Sequence, residues 1–175
     1  MGKNWDEIRK LAVEYAGDNI NNRGMNCSES VFGALIRSGA IEASPDMVAY
    51  ATGFGGGGGG VGYTCGALAS GILANSIAHG RKDPAKSNDR MELKQKYYMR
   101  YNNMVSDFVK VAGSGLCREI VNAYPEGYMD SQTRPNCIRI VIEAAGIAVD
   151  YLRRNAEEAE KLEYDPFVVG INNWV

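Results

Sequence analysis

"TCGALASGILANSIAHG", Thr64 to Gly80, decides the fold. Apolar and small residues occupy nearly every position, so a helix through it is apolar around most of its circumference. Such a helix belongs at the centre of a bundle. Its length rules out a buried strand.

Amphipathic helices flank this segment on both sides. "WDEIRKLAVEYAGD" puts Ile8, Leu11, Ala12 and Tyr15 on one face at i, i+3, i+4 and i+7. "CSESVFGALIRSGAI" repeats the pattern with Val31, Ala34 and Leu35, and Gly39 lies near its end. "NDRMELKQKYYMRYNNMVSDFVKVAG" carries Tyr97, Tyr101, Met104, Val105 and Phe108 in helical register, the pattern of a core stripe. "NCIRIVIEAAGIAVDYLRRNAEEAEKLE" opens on β-branched residues, yet its length makes it one long helix, with Glu157 and Lys161 spaced as an i,i+4 pair. "NNRG", "ASPDM", "GRKDPAKS" and "NAYPEGYMDSQTRPN" are the breaks. No linker divides residues 1–175, so the expectation is all-α: one helical bundle of about five to six helices. An apolar tail, 163–175, packs on its own domain or on a partner.

The central helix is entered through "TGFGGGGGGVGY", with glycine at Gly55, Gly56, Gly57, Gly58, Gly59 and Gly60. Each glycine loses more backbone entropy on ordering than any other residue. A glycine run leading into a helix can turn several N–H groups toward one anionic ligand. No "GK[ST]" follows, which excludes a Walker A loop, and "MVAYATG" is a poor strand for a Rossmann motif.

A net charge of −2 and a pI near 5.5 argue against a nucleic-acid partner. No apolar run reaches the roughly 20 residues of a membrane span, so no membrane insertion is expected. "MGKNWDEIRK" has no apolar signal region, and a cytoplasmic location follows as the default.

Four cysteines, Cys27, Cys65, Cys117 and Cys137, form no CxxC pair. In a reducing compartment they are free, metal-bound or reactive rather than disulfide-bonded. On spacing alone, four buried and inert thiols is the simplest reading. Their places in the helices add more. Asn26 is an N-cap before Cys27, with Glu29 completing a capping box. Thr64 precedes Cys65, Ser114 stands where it can cap a short helix at Cys117, and Asn136 and Pro135 precede Cys137. All four thiols are thus expected in the first turn of a helix, where the dipole lowers a thiol's pKa.

"GMNCSESVFGAL", "ATGFGGGGGGVGYTCGALASG", "GSGLCREIV" and "NCIRIVIEAAGIAVDYL" together resemble the C_GCAxxG_C_C family of redox-active proteins, marked by four cysteines and a Cys-Gly-Ala-x-x-Gly motif. The resemblance runs from about Asn21 to Leu152 and extends to the N-terminal domain of split-Soret cytochromes c. It implies redox activity centred on the four cysteines, with Gly66 and Ala67 following the second. The split-Soret relatives imply an iron–sulfur cluster. Their haem does not carry over, because no CxxCH is present and the one histidine, His79, reads as a surface or cap residue. Ser70 stands where the motif has its last glycine.

The leading reading is electron transfer or redox sensing through an iron–sulfur cluster, [2Fe–2S] in preference to [4Fe–4S]. Cys27, Cys65, Cys117 and Cys137 are its ligands, with Gly55 to Gly60 and Gly66 close to it. Two alternatives keep the same residues: a thiol oxidoreductase with Cys65 as nucleophile, and a structural zinc on four cysteines. A redox partner protein is implied by electron transfer, and a homodimer is compatible with it.

Overall fold

The computed structural model describes residues 2–86 and 93–168. Among them the fold is all-α, without a strand: α1 (Trp5–Asn22), α2 (Cys27–Arg37), α3 (Gly55–Gly58), α4 (Gly66–His79), α5 (Met99–Ala112), α6 (Cys117–Asn122), α7 (Thr133–Leu152) and α8 (Ala156–Glu160). A 3₁₀ segment, Pro45–Phe54, leads to α3, and a π-helical turn, Leu93–Tyr98, runs into α5. Eight helical segments slightly exceed the expected five to six. The two additions are α3, a single turn of glycines with left-handed backbone at Gly56 and Gly57, and α8, which the sequence pattern joins to α7.

The break before α8 has a physical cause. Asn155 caps α8, accepting from the Glu158 amide while Glu158 accepts from the Asn155 amide. The buried Arg100 guanidinium donates to the Tyr151 carbonyl in the last turn of α7, and in the link to α8 to the carbonyls of Arg154 at 2.9 Å and Asn155 at 3.2 Å. His79, the last residue of α4, donates from Nε2 to the Leu152 carbonyl at 2.9 Å. It caps α7 rather than its own helix. The Glu157–Lys161 pair forms on the surface at 2.8 Å.

Alanine sets the spacing of the bundle. Ala12 and Ala16 of α1, Ala34 of α2, Ala67 and Ala74 of α4, and Ala144, Ala145 and Ala148 of α7 are all buried. Side chains this small let four helices approach closely, and a Cβ on Gly71 would already touch that of Ala148 at 3.4 Å. Phe32, Leu35, Met104 and Phe108 fill the wider gaps. Within α4, Gly66, Ala67, Leu68, Ser70, Gly71, Ala74 and Asn75 are buried. Ala69, Ile72, Leu73 and Ser76 are only half-buried and line an open groove with Phe54 and Tyr63. The central helix is therefore covered on most sides but not on all.

The C-terminal segment docks on α5. Ser106 and Lys110 donate to Asp165, at 2.5 and 3.2 Å, and the Asp165 amide donates to Asn102 at 2.7 Å. The apolar tail thus begins packed on its own domain, while residues 169–175 lie outside the described residues.

Candidate functional site

Cys27 is the first residue of α2, and the segment before it is tied down from several directions. Asn26 accepts from the amides of Ser28 and Glu29, both at 3.0 Å, and Glu29 accepts from the Asn26 amide at 3.0 Å. The capping box read from "NCSE" is therefore present. Asn26 also donates to the Thr52 carbonyl at 3.2 Å, and Thr52 donates to Glu29 at 2.7 Å. A Cβ on Gly55 would lie 2.9 Å from Asn26 Cγ, so the glycine run starts against the cap of the Cys27 helix.

Cys65 is itself the N-cap of α4, one position later than a Thr64 cap would put it. The backbone amides of Ala67 and Leu68 favour the charged form of its thiol. The next residue, Gly66, faces Cys27, whose sulfur would lie 2.8 Å from a Cβ there.

Cys65 and Cys117 meet through an antiparallel bridge that the sequence reading missed, pairing Thr64 with Leu116. The Cys65 amide donates to the Gly115 carbonyl at 2.8 Å, and the Cys117 amide to the Tyr63 carbonyl at 2.6 Å. Cys117 opens α6 with Leu116 at the N-cap. Ser114, the expected cap, instead accepts from the Leu116 amide at 3.0 Å and donates to Glu119 at 2.6 Å. Its hydroxyl shapes the approach to α6 without capping it.

Cys137 departs from expectation. α7 begins at Thr133, four residues earlier than the Asn136–Pro135 reading allows, so Cys137 lies in the second turn. Proline is tolerated in a first turn because its missing N–H has no partner there anyway. Pro135 therefore sits inside the helix rather than before it. Thr133 anchors this start by donating to the Gly127 carbonyl at 2.6 Å.

The glycine run is held by its own backbone. Gly56, Gly57, Gly58, Gly59 and Gly60 all have positive φ, from 63° to 92°, a region that L side chains rarely adopt. Gly62 and Tyr63 donate to the carbonyls of Gly56 and Gly57, at 3.0 and 2.9 Å. The turn lies directly on Cys117: a Cβ on Gly57 would fall 2.8 Å from Cys117 Cβ.

Four separate parts of the chain thus bring their thiols into one electrostatic neighbourhood. Burial, then the charge of Cys27, pushes the Cys65 thiol up to about 12, against the pull of the Ala67 and Leu68 amides. Burial and Cys27 likewise raise Cys117. Burial, then Cys117 and Cys27, pushes Cys137 up to about 11. The lowered thiol pKa expected from helix N-termini is therefore overturned for these three, because loss of solvation outweighs the helix ends. Cys65 is the most enclosed, at 7% exposure.

All four cysteines are free thiols. Among the described residues no three Cys, His, Asp or Glu side chains already stand in a metal-holding arrangement. In kind and number the donors nonetheless suit a soft metal or a cluster. Bare backbone at Gly57 and Gly66 keeps other side chains from coming between them. Ser70 is fully buried and donates to the Ser28 carbonyl at 2.8 Å, fastening α4 to the first turn of α2. The missing glycine of the motif is replaced here by a cross-helix hydrogen bond.

No helix among the described residues is long and apolar enough to cross a membrane. A family model described as "Putative redox-active protein (C_GCAxxG_C_C)" matches residues 25–151. The chain is also 31% identical over 134 residues to a protein of Archaeoglobus fulgidus described as "Uncharacterized protein", covering 75% of this chain and 87% of the relative. No solved structure matches it.

Proposed function

The chain belongs to the C_GCAxxG_C_C family, and on that premise we propose that it carries an iron–sulfur cluster on Cys27, Cys65, Cys117 and Cys137 and serves electron transfer or redox sensing. The observation that supports this reading is the approach of cysteines from separate chain segments: the Cys65–Gly115 and Cys117–Tyr63 backbone bonds set Cys65 beside Cys117, Gly66 seats the start of α4 on the Cys27 sulfur, and Cys137 feels both Cys117 and Cys27. A cluster bound there would supply one-electron chemistry. Burial keeps the Cys65, Cys117 and Cys137 thiols neutral in the metal-free chain, and a soft metal would displace their protons as thiolate–metal bonds form. The Ala67 and Leu68 amides favour negative charge on Cys65, and the surrounding core keeps water from it.

The same features speak against Cys65 as a free nucleophile. A thiol pushed up to about 12 and almost wholly enclosed is a poor attacking group near neutral pH. Structural zinc would use the same four donors, so metal analysis separates the two.

The test is anaerobic purification with a visible spectrum and quantification of iron, sulfide and zinc, on the wild type and on Cys65→Ala. The expected result is a coloured wild-type protein with stoichiometric iron and sulfide, and loss of colour in the variant. A colourless, iron-free protein after anaerobic reconstitution overturns the proposal, and stoichiometric zinc in its place favours the structural reading.

A further inference from the structure

Only part of the glycine run is required by the cysteines. A Cβ on Gly57 would strike the Tyr63 amide at 2.6 Å and Cys117 Cβ at 2.8 Å, and one on Gly62 would strike Arg118 Cβ at 2.9 Å. These two positions need bare backbone to let Cys117 and α6 approach. At Gly56, Gly59 and Gly60 an added Cβ would meet nothing within 4 Å. All three border a cavity of about 600 Å³ that has Cys117 in its wall. A volume of this size is typical of small-molecule sites.

The chemistry of the remaining wall is uneven in an informative way. Val61, Val121 and Tyr128 supply apolar surface, and Val61 and Tyr128 are 58% and 76% exposed. Asn122 adds an amide, and Arg118 adds the cation. The Arg118 guanidinium lies 5.6 Å from the centre of the Tyr63 ring and makes no ion pair with the described residues. A cation with no counter-charge among the described residues, on the edge of an apolar, backbone-walled cavity, suits a ligand with an anionic end and an apolar body.

We propose that this cavity binds a small organic anion, a carboxylate on an apolar or aromatic body, with its charge on Arg118 and its body against Val61, Val121 and Tyr128, beside Cys117. As a substrate or effector site the cavity rests on the redox reading above. As a binding site it does not.

The experiment is calorimetric titration of benzoate, and separately of inorganic phosphate, into the anaerobically purified full chain, with iron measured on the same sample. Saturable benzoate binding is expected, with phosphate far weaker. Arg118→Gln should weaken benzoate about tenfold or more, the scale of one charge-assisted hydrogen bond. Tyr128→Ala should weaken it severalfold. Both residues are exposed, so circular dichroism should show each variant folded. Absence of saturable benzoate binding, binding indifferent to Arg118→Gln, or phosphate binding as well as benzoate overturns the proposal. Iron without benzoate binding sinks this inference alone. Benzoate binding without iron keeps it and sinks the cluster.

Discussion

Gly66 and Cys27 stand so close that a Cβ on the first would lie 2.8 Å from the sulfur of the second, and 2.7 Å from the Phe54 carbonyl oxygen. The start of α4 is therefore seated on the start of α2 at a place where a side chain cannot fit. Gly66→Ala must displace the Cys27 sulfur or the Phe54 carbonyl. We expect a loss of about 1–3 kcal/mol, the usual scale of overpacking, together with reduced iron retention. Gly53→Ala is the control, because a Cβ there meets nothing within 4 Å and its φ is not positive. Thermal unfolding and iron content of the two variants check the expectation; equal behaviour would show that the contact yields without consequence.

Ser70 offers a second comparison. Its hydroxyl donates to the Ser28 carbonyl at 2.8 Å from a fully buried position. Ser70→Ala should cost about 0.5–1.5 kcal/mol, the net worth of one hydrogen bond. Ser70→Gly restores the residue of the family motif, yet it should be less stable than the alanine variant by roughly 0.5–1 kcal/mol, since glycine weakens a helix interior. Denaturant unfolding of the three proteins decides the order. A glycine variant as stable as the wild type would mean that the Ser70 bond contributes nothing.

The bundle was legible because its helices are long and patterned: Ile8, Leu11, Ala12 and Tyr15 on α1, or Met104 and Phe108 on α5, declare their faces without help from the rest of the chain. The cap at Asn26 was legible for the same local reason, since the bonds that cap the helix run only between Asn26, Ser28 and Glu29. The Tyr63–Cys65 pairing with Gly115–Cys117 was not, because a single bridge between two three-residue stretches leaves no periodicity. The start of α7 was misplaced because Pro135 reads as a stop, although a first turn accepts it. Cys65, Cys117 and Cys137 are raised, against the helix-end argument, because burial depends on the whole fold and no spacing of residues records it.

Burial also fixes the order of thiol reactivity. In the metal-free chain Cys65, at 7% exposure and pushed up to about 12, should be the last of the four alkylated by iodoacetamide. Near pH 8 Cys65 is held in its neutral thiol form. The linkage has a definite sign. A folded pKa raised above the ordinary 9.0 contributes stability that is complete below that value and is lost as pH climbs toward about 12. Tyr151, raised above 10.0 by burial and by its hydrogen bond to Asp107, adds in the same direction. Metal-free protein should therefore melt at lower temperature as the pH is taken from about 8 to 10. Peptide mapping of the alkylated sites and melting curves at the two pH values test both statements. Early labelling of Cys65 would contradict the burial argument.

Acid should act through the C-terminal segment. The Ser106 hydroxyl, the Phe167 amide and Lys110 hold the Asp165 carboxyl down at about 2, against an ordinary 3.8. A depressed carboxyl contributes stability that is present above 3.8 and lost as pH falls through about 2, because the unfolded chain then binds the proton more tightly. Asp18, held at about 2 by Arg23, Asn22 and Arg37, shares that sign, so the wild type should lose stability through the same window. Asp165→Asn separates the two. It keeps the size of the side chain and removes the charge that Ser106 and Lys110 meet. The variant should melt below the wild type near pH 6 and approach it as the pH nears 2, because protonation removes from the wild type what the substitution removes from the variant. Hydrogen exchange across residues 163–168 should follow the same course, faster in the variant at pH 6 and converging in acid. A difference that stays constant with pH would show that neutral hydrogen bonds, and not the carboxylate charge, hold this segment to α5.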